Sequence, residues 1–242
     1  MNEAANLPRL LTSLPAGIRA LVVDANSGDR TVAIAREYGA EIAIREWEGF
    51  VATRRWAQAR VTTPWTLMLD ADERLDDEAR RAIVAVDPET SDDGFVLRRT
   101  TWFCGRPIRG MGWGDERLLR LFRTDRARLV ASPVSGGGGQ VHERWELVPG
   151  ALPARTLRGV LEHDSYPTLK SYARKFGRYT SLEARGLPPS LRRLIGVTPR
   201  SVFRAGWLLF ARGGWRDGWR GAFVAVASAV YPVVVAWKAL RT

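Results

Sequence analysis

Residues 64–75 read PWTLMLDADERL, an apolar run ending in three acids within four positions, Asp70, Asp72 and Glu73. Pro64 opens the run, and Trp65 to Leu69 carries apolar residues on both faces, as in a parallel strand covered on both sides. Carboxylates this close repel one another, so the stretch predicts a positive group among them. Outward from it, strand-like and helical patterns alternate. Ile18 to Asp24 reads as a strand, Thr31 to Tyr38 as a helix stopped by Gly39, and Glu41 to Glu46 as a strand. Gly49 to Arg60 and Leu75 to Val86 read as helices on either side of the quoted run. This β-α-β-α-β-α order predicts an α/β fold, a doubly wound and mostly parallel sheet with helices on both faces. Such sheets bind ligands beyond the carboxyl ends of their strands, where Asp24 and the 70–72 acids fall.

After Pro88 the pattern shifts to shorter strand-like runs, Gly94 to Trp102, Leu118 to Arg123 and Thr156 to Leu161. A glycine run at 136–139 reads as a mobile loop, and helical spacing begins at Thr168, with breaks near 186–189 and 213–214. We therefore expect an α/β domain over 1–166, its second half starting near 90, and a helical region over 167–242. The 242-residue chain is 45% apolar and 26% charged, an ordinary globular composition. Cys104 is its single cysteine, so neither an intrachain disulfide nor a cysteine-based zinc site is available. The net charge is +11, and Arg185 to Thr242 carries ten basic residues against one acid, so the basic character belongs to the tail. The opening MNEAANLPRL has no apolar core of a signal peptide. The uncharged run 221–237 contains Pro232 and sits at or below the lower limit for a membrane span.

Asp70 and Asp72 can aim oxygens at one hard divalent cation, Mg²⁺ or Mn²⁺, which could neutralise a diphosphate leaving group; acids opening a helix give the same letters. A calcium EF-hand needs Gly and Glu where Leu75 and Arg81 stand, and an aspartyl-phosphate phosphatase motif fails at Arg74. Asp24 can accept a uracil imide N–H, or simply serve as a turn acid. Arg54 and Arg55, on a predicted helix, suit phosphate oxygens or a solvated face.

Together VVDANSGDRTVAIAREYGA, REWEGFVATRRWA and TPWTLMLDADERL resemble the nucleotide-sugar half of the family 2 glycosyltransferases, which have the GT-A fold. The likeness is strongest to the bacterial lipopolysaccharide-core β-glucosyltransferase group. It extends through Gly112-Trp113, Leu119 to Arg123, Val141-His-Glu143, His163 to Tyr166, Lys175, Arg178 to Thr180 and Gly213 to Gly218. The resemblance implies an inverting, metal-dependent transferase moving a hexose, glucose from UDP-glucose, to a glycan or lipid-linked acceptor in cell-envelope synthesis. It implies that Asp24, Ser27, Arg54, Asp70 and Ala71 bind the nucleotide sugar. Asp72, Asp70 and His142 would hold the metal, with His163 the other histidine available to it. The catalytic base would be Glu116, Asp115 or Glu143; Glu116 stands where the group carries an aspartate. The family opens on a central strand before an Asn-Glu pair, and Asn2-Glu3 begin this chain, so its neighbours are expected to carry unpaired edges.

The tail mixes its arginines with Trp207, Trp215, Trp219, Trp237, Phe203, Phe210 and Tyr231, a composition suited to an anionic bilayer surface. We expect peripheral association with the cytoplasmic face of the plasma membrane and no nucleic-acid partner, since the aromatics accompany apolar runs. The alternative is a decayed transferase acting as a non-catalytic membrane-associated protein.

Overall fold

The computed structural model describes residues 1–133 and 141–241, by backbone alone at 131–133, 141 and 142; the predicted loop at 136–139 lies outside the described residues. Two compact units emerge. One holds Met1–Arg99, Arg117–Ala131 and Glu143–His163; the other is built mainly from Thr100–Glu116 and the chain from Asp164 onward.

The chain runs α1 (Leu7–Ser13), β1 (Leu21–Asp24), α2 (Thr31–Glu37), β2 (Glu41–Ile44), α3 (Phe50–Gln58), β3 (Trp65–Leu67), β4 (Glu73–Leu75) and α4 (Asp77–Val84). Then come β5 (Gly94–Phe103), β6 (Arg106–Pro107), β7 (Glu116–Arg123), β8 (Ala127–Pro133), β9 (Val141–Leu147) and β10 (Arg155–Tyr166). The α/β reading holds, and the expected alternation is present through the first half. The mostly parallel sheet gives way to a mixed one. β1 and β2 pair in parallel as a sheet of their own, whereas β3 pairs antiparallel with β7 and β4 antiparallel with β10. The larger sheet has the order β3-β7-β5-β10-β4, so strands from the second half interleave with those from the first. Long strands after Pro88, not crossover helices, supply the partners, and that arrangement favours antiparallel ladders. Among the described residues β1 pairs only with β2 and β3 only with β7, leaving each the expected unpaired edge.

Leu75, Ala79, Ile83, Phe95, Leu97, Leu121 and Leu161 close the main core between the sheet and α4. Burying each large side chain there contributes roughly 1.5–3 kcal/mol. The helix expected from Leu75 starts two residues later, because Leu75 belongs to β4 and Asp76 caps α4 by accepting from the Ala79 N–H at 2.7 Å. β10 crosses that helix start at Gly159, where φ is +87° and a Cβ would meet the Ala79 nitrogen at 2.0 Å. Leu7, Leu10, Ala35 and Ala40 form a second core that seats α1 and α2 on β1 and β2.

In the other unit, α5 (Leu169–Arg185) opens on a Thr168–Ser171 capping box and α6 (Leu191–Gly206) continues through a π turn at Trp207–Ala211. The expected break falls at Gly213, which is left-handed (φ +73°), and a 3₁₀ turn leads into α7 (Gly218–Ala239). Phe103, Ile108, Tyr172 and Val224 build this unit's core, with the Phe103 and Phe223 rings stacked at 5.4 Å. Lys238 tethers the end of α7 to α5, donating to the Gly177 carbonyl at 2.9 Å and to the Thr180 and Ser181 hydroxyls at 2.8 Å. Pro232 does not end α7. The helical stretch Gly214–Ala239 is 26 residues, and its most apolar 18-residue window has a mean hydropathy of 1.7, enough by length and composition to cross a membrane, although a third of that window is buried within the protein.

Candidate active site

The acidic turn owes its shape to its own backbone and to Glu73. The Glu73 N–H donates to the Asp70 carbonyl at 3.0 Å, and the Asp70 N–H donates to Glu73 Oε2 at 2.9 Å. Glu73 is almost wholly buried, a position an anion holds only when compensated. Two guanidiniums compensate it: Arg120 from β7 at 2.5 Å and Arg99 from β5 at 3.2 Å. Arg120 also reaches Asp70 at 3.2 Å. Arg54, from α3, grips the other Asp70 oxygen and donates to Glu143 of β9 at 2.6 Å. The result is one continuous lattice, Glu143–Arg54–Asp70–Arg120–Glu73–Arg99, with three charges of each sign. For Asp70 and Glu73, the positive groups foreseen among the crowded acids are arginines.

Burial pushes the Asp70 carboxyl up, but the Arg120 and Arg54 guanidiniums outweigh it and hold it well below the usual carboxylate range. Burial pushes Arg120 down, and Glu73 and Asp70 more than restore its proton. A depressed carboxyl contributes stability above its unfolded value, 3.8, and loses that contribution as pH falls through the folded value. Asp70→Asn is therefore expected to be less stable than the wild type at neutral pH, with the gap closing below about pH 4 in metal-free urea denaturation.

Asp72 leaves the lattice. The β4–β10 register sets His163 opposite Glu73, which brings His163 Nε2 to 3.2 Å from Asp72 Oδ2. An oxygen and a nitrogen donor side by side suit a divalent cation whose remaining ligands are water and phosphate oxygens. Asp70, with an oxygen on each of two guanidiniums, is poorly placed to join them. Among the described residues no three His, Cys, Asp or Glu side chains converge. The His142 side chain lies outside the described residues.

Asp24, buried at the end of β1, accepts from the Ser27 N–H at 2.7 Å and the Ser27 hydroxyl at 2.5 Å. Ser27 in turn accepts from the Asn2 N–H at 2.8 Å. Arg55 donates to the Leu129 carbonyl at 3.0 Å, so its role is to join α3 to β8. Ala71 sits in the acidic turn. Asp115 and Glu116, at the start of β7, are exposed carboxylates of the second unit. The structure thus gathers Arg54, Asp70 and Glu143, sets Asp72 beside His163, and joins Asp24 to Ser27. Glu73, Arg99 and Arg120 were not foreseen. An arginine amid the apolar residues of Leu118-Leu-Arg-Leu-Phe122 was the available signal, because a charge there needs a buried partner.

Comparison with known proteins adds an independent line. The family model for glycosyl transferase family 2 matches residues 1–141. A lipopolysaccharide core biosynthesis glycosyltransferase, LpsC, of Rhizobium meliloti is 29% identical over 98% of this chain and 88% of its own length. A glycosyltransferase of Rickettsia prowazekii is 31% identical over 80% of this chain and 67% of its own, and one of Mycobacterium tuberculosis is 34% identical over 47% and 49%. With its α/β fold and an arginine-braced acidic turn beyond a strand end, the chain belongs to glycosyl transferase family 2, consistent with a GT-A fold.

Proposed function

We propose that the protein is an inverting glycosyltransferase that moves a hexose, glucose from UDP-glucose, to a glycan or lipid-linked glycan of the lipopolysaccharide core, at the cytoplasmic face of the membrane. The observation that carries this reading is the acidic turn: arginines brace Asp70, and the β4–β10 register sets His163 beside Asp72. The likeness to LpsC over nearly the whole chain supports the acceptor class.

Asp24 and Ser27 would hold the uracil. Arg54 would meet the diphosphate, trading its bond to Glu143 for a phosphate oxygen, since a guanidinium fork suits either anion. Asp72 and His163 would hold Mg²⁺ or Mn²⁺, and that ion, when bound, neutralises charge on the departing diphosphate. Glu116 takes the proton of the acceptor hydroxyl as its oxygen attacks the anomeric carbon. The C1–O bond to the nucleoside diphosphate breaks in the same step, inverting the centre. Glu143, whose Oε1 accepts from Arg54 before the donor arrives, is the second candidate for that task.

Titrating UDP into the wild type with and without Mn²⁺, and repeating it on Asp72→Asn, tests the donor site. Mn²⁺ should tighten UDP binding to the wild type by about tenfold or more and leave the variant unmoved. The same affinity in all four titrations would remove the metal from the mechanism.

A further inference from the structure

Within the second unit, β6 and the start of α7 enclose a cleft of about 410 Å³ bearing four arginines, Arg106, Arg109, Arg216 and Arg220. None of the four forms an ion pair among the described residues. The cleft's one acid, Asp217, is already engaged: its two oxygens accept from the N–H groups of Arg109 at 3.0 Å and Gly110 at 2.9 Å. Those bonds tie the loop after β6 to the start of α7. The loop is held further by the Met111 N–H on the Arg212 carbonyl at 2.8 Å, and a Cβ at Gly110 would meet the Gly213 oxygen at 2.7 Å. Arg220 is fixed as well, donating from Nη2 to the Cys104 carbonyl at 2.9 Å while lying 4.7 Å over the Trp219 ring. The backbone of the cleft and Arg220 are therefore held in place, and four guanidiniums outnumber one carboxylate whose oxygens are already taken by N–H groups. This reverses the arrangement at the acidic turn, where each excess charge has its counterpart.

Chemistry narrows the ligand. Guanidinium forks match phosphate oxygens two at a time, and the positive end of a 22-residue helix opens beside them at Gly218. Trp219 lines the cleft and also begins an exposed apolar stripe along α7, continued by Phe223, Val226 and Val230 at helical spacing. A free phosphate has no use for that stripe, whereas a lipid chain does. We propose that this cleft binds the phosphate headgroup of a lipid whose chains lie along the exposed face of α7. The proposal rests on the membrane part of the function above and not on its donor chemistry.

The test is co-sedimentation of the full chain with phosphatidylcholine vesicles, with and without phosphatidic acid, beside a thermal-shift titration with inorganic pyrophosphate. The wild type should bind the phosphatidic acid vesicles preferentially. Arg109→Gln with Arg216→Gln should weaken that binding about thirtyfold, from the loss of two charges near an anionic surface. Val226→Ser with Val230→Ser should weaken it while leaving any pyrophosphate shift unchanged. Binding that is indifferent to the arginine pair overturns the cleft as the site. A pyrophosphate shift that the arginine pair abolishes, without vesicle binding, overturns the lipid as the source, and neither response overturns both. UDP affinity, measured on the same variants, should not move; if it is absent from the wild type while lipid binding persists, the transferase reading fails and this one stands.

Discussion

Arg120→Met is expected to lower the stability of the chain by about 3–5 kcal/mol, because it leaves buried carboxylates without their shared cation. Glu73 has no exposed side-chain surface, and Arg120 is its nearer guanidinium. Arg99, at 3.2 Å, is too little to offset a buried anion by itself, and Asp70 would keep only Arg54. In a chain of this length such a loss lowers the melting temperature by roughly 10 °C or more. Adding Glu73→Gln should recover part of it, since the cost lies in the orphaned charge and not in the missing contact. Urea denaturation of the single and double variants measures both, and a midpoint unchanged in Arg120→Met would mean that the lattice contributes nothing.

Glu116→Gln is expected to reduce kcat by about 10²–10⁴ with donor affinity intact, the signature of a lost proton acceptor. Asp115→Asn, one residue away and equally exposed, should retain most of the wild-type rate. Rates under saturating donor decide the matter, together with UDP affinity on each variant. If Asp115→Asn is the one that fails, the shorter of the two acids carries the proton.

Much of the first unit was legible because its signals are local. Val22 and Val23 before Asp24, the helical spacing of Thr31 to Glu37 and the apolar Trp65 to Leu67 each announce themselves within a few residues. The break at Gly213 was legible for the same reason: a left-handed residue ends a helix wherever it sits. β4 was not, because Glu73-Arg-Leu75 is three residues long and looks like the first turn of the helix that follows. Its strand character comes from pairing with His163, far along the chain. α1 escaped in turn, since Leu7-Pro-Arg-Leu gives no full helical period before Pro15. The site divides along the same line. Asp24, Arg54, Asp70 and Asp72 stand in short motifs, whereas the partners that orient them are set by sheet order.

The carboxylate–arginine lattice joins residues far apart in sequence, 16 apart at Arg54–Asp70, 26 at Arg99–Glu73, 47 at Arg120–Glu73 and 89 at Arg54–Glu143. Loops of such different lengths must all be closed before the last bond can form. The lattice is therefore expected to close late in folding, so Arg120→Met should hasten unfolding while leaving the refolding rate nearly unchanged, as stopped-flow jumps in urea would measure.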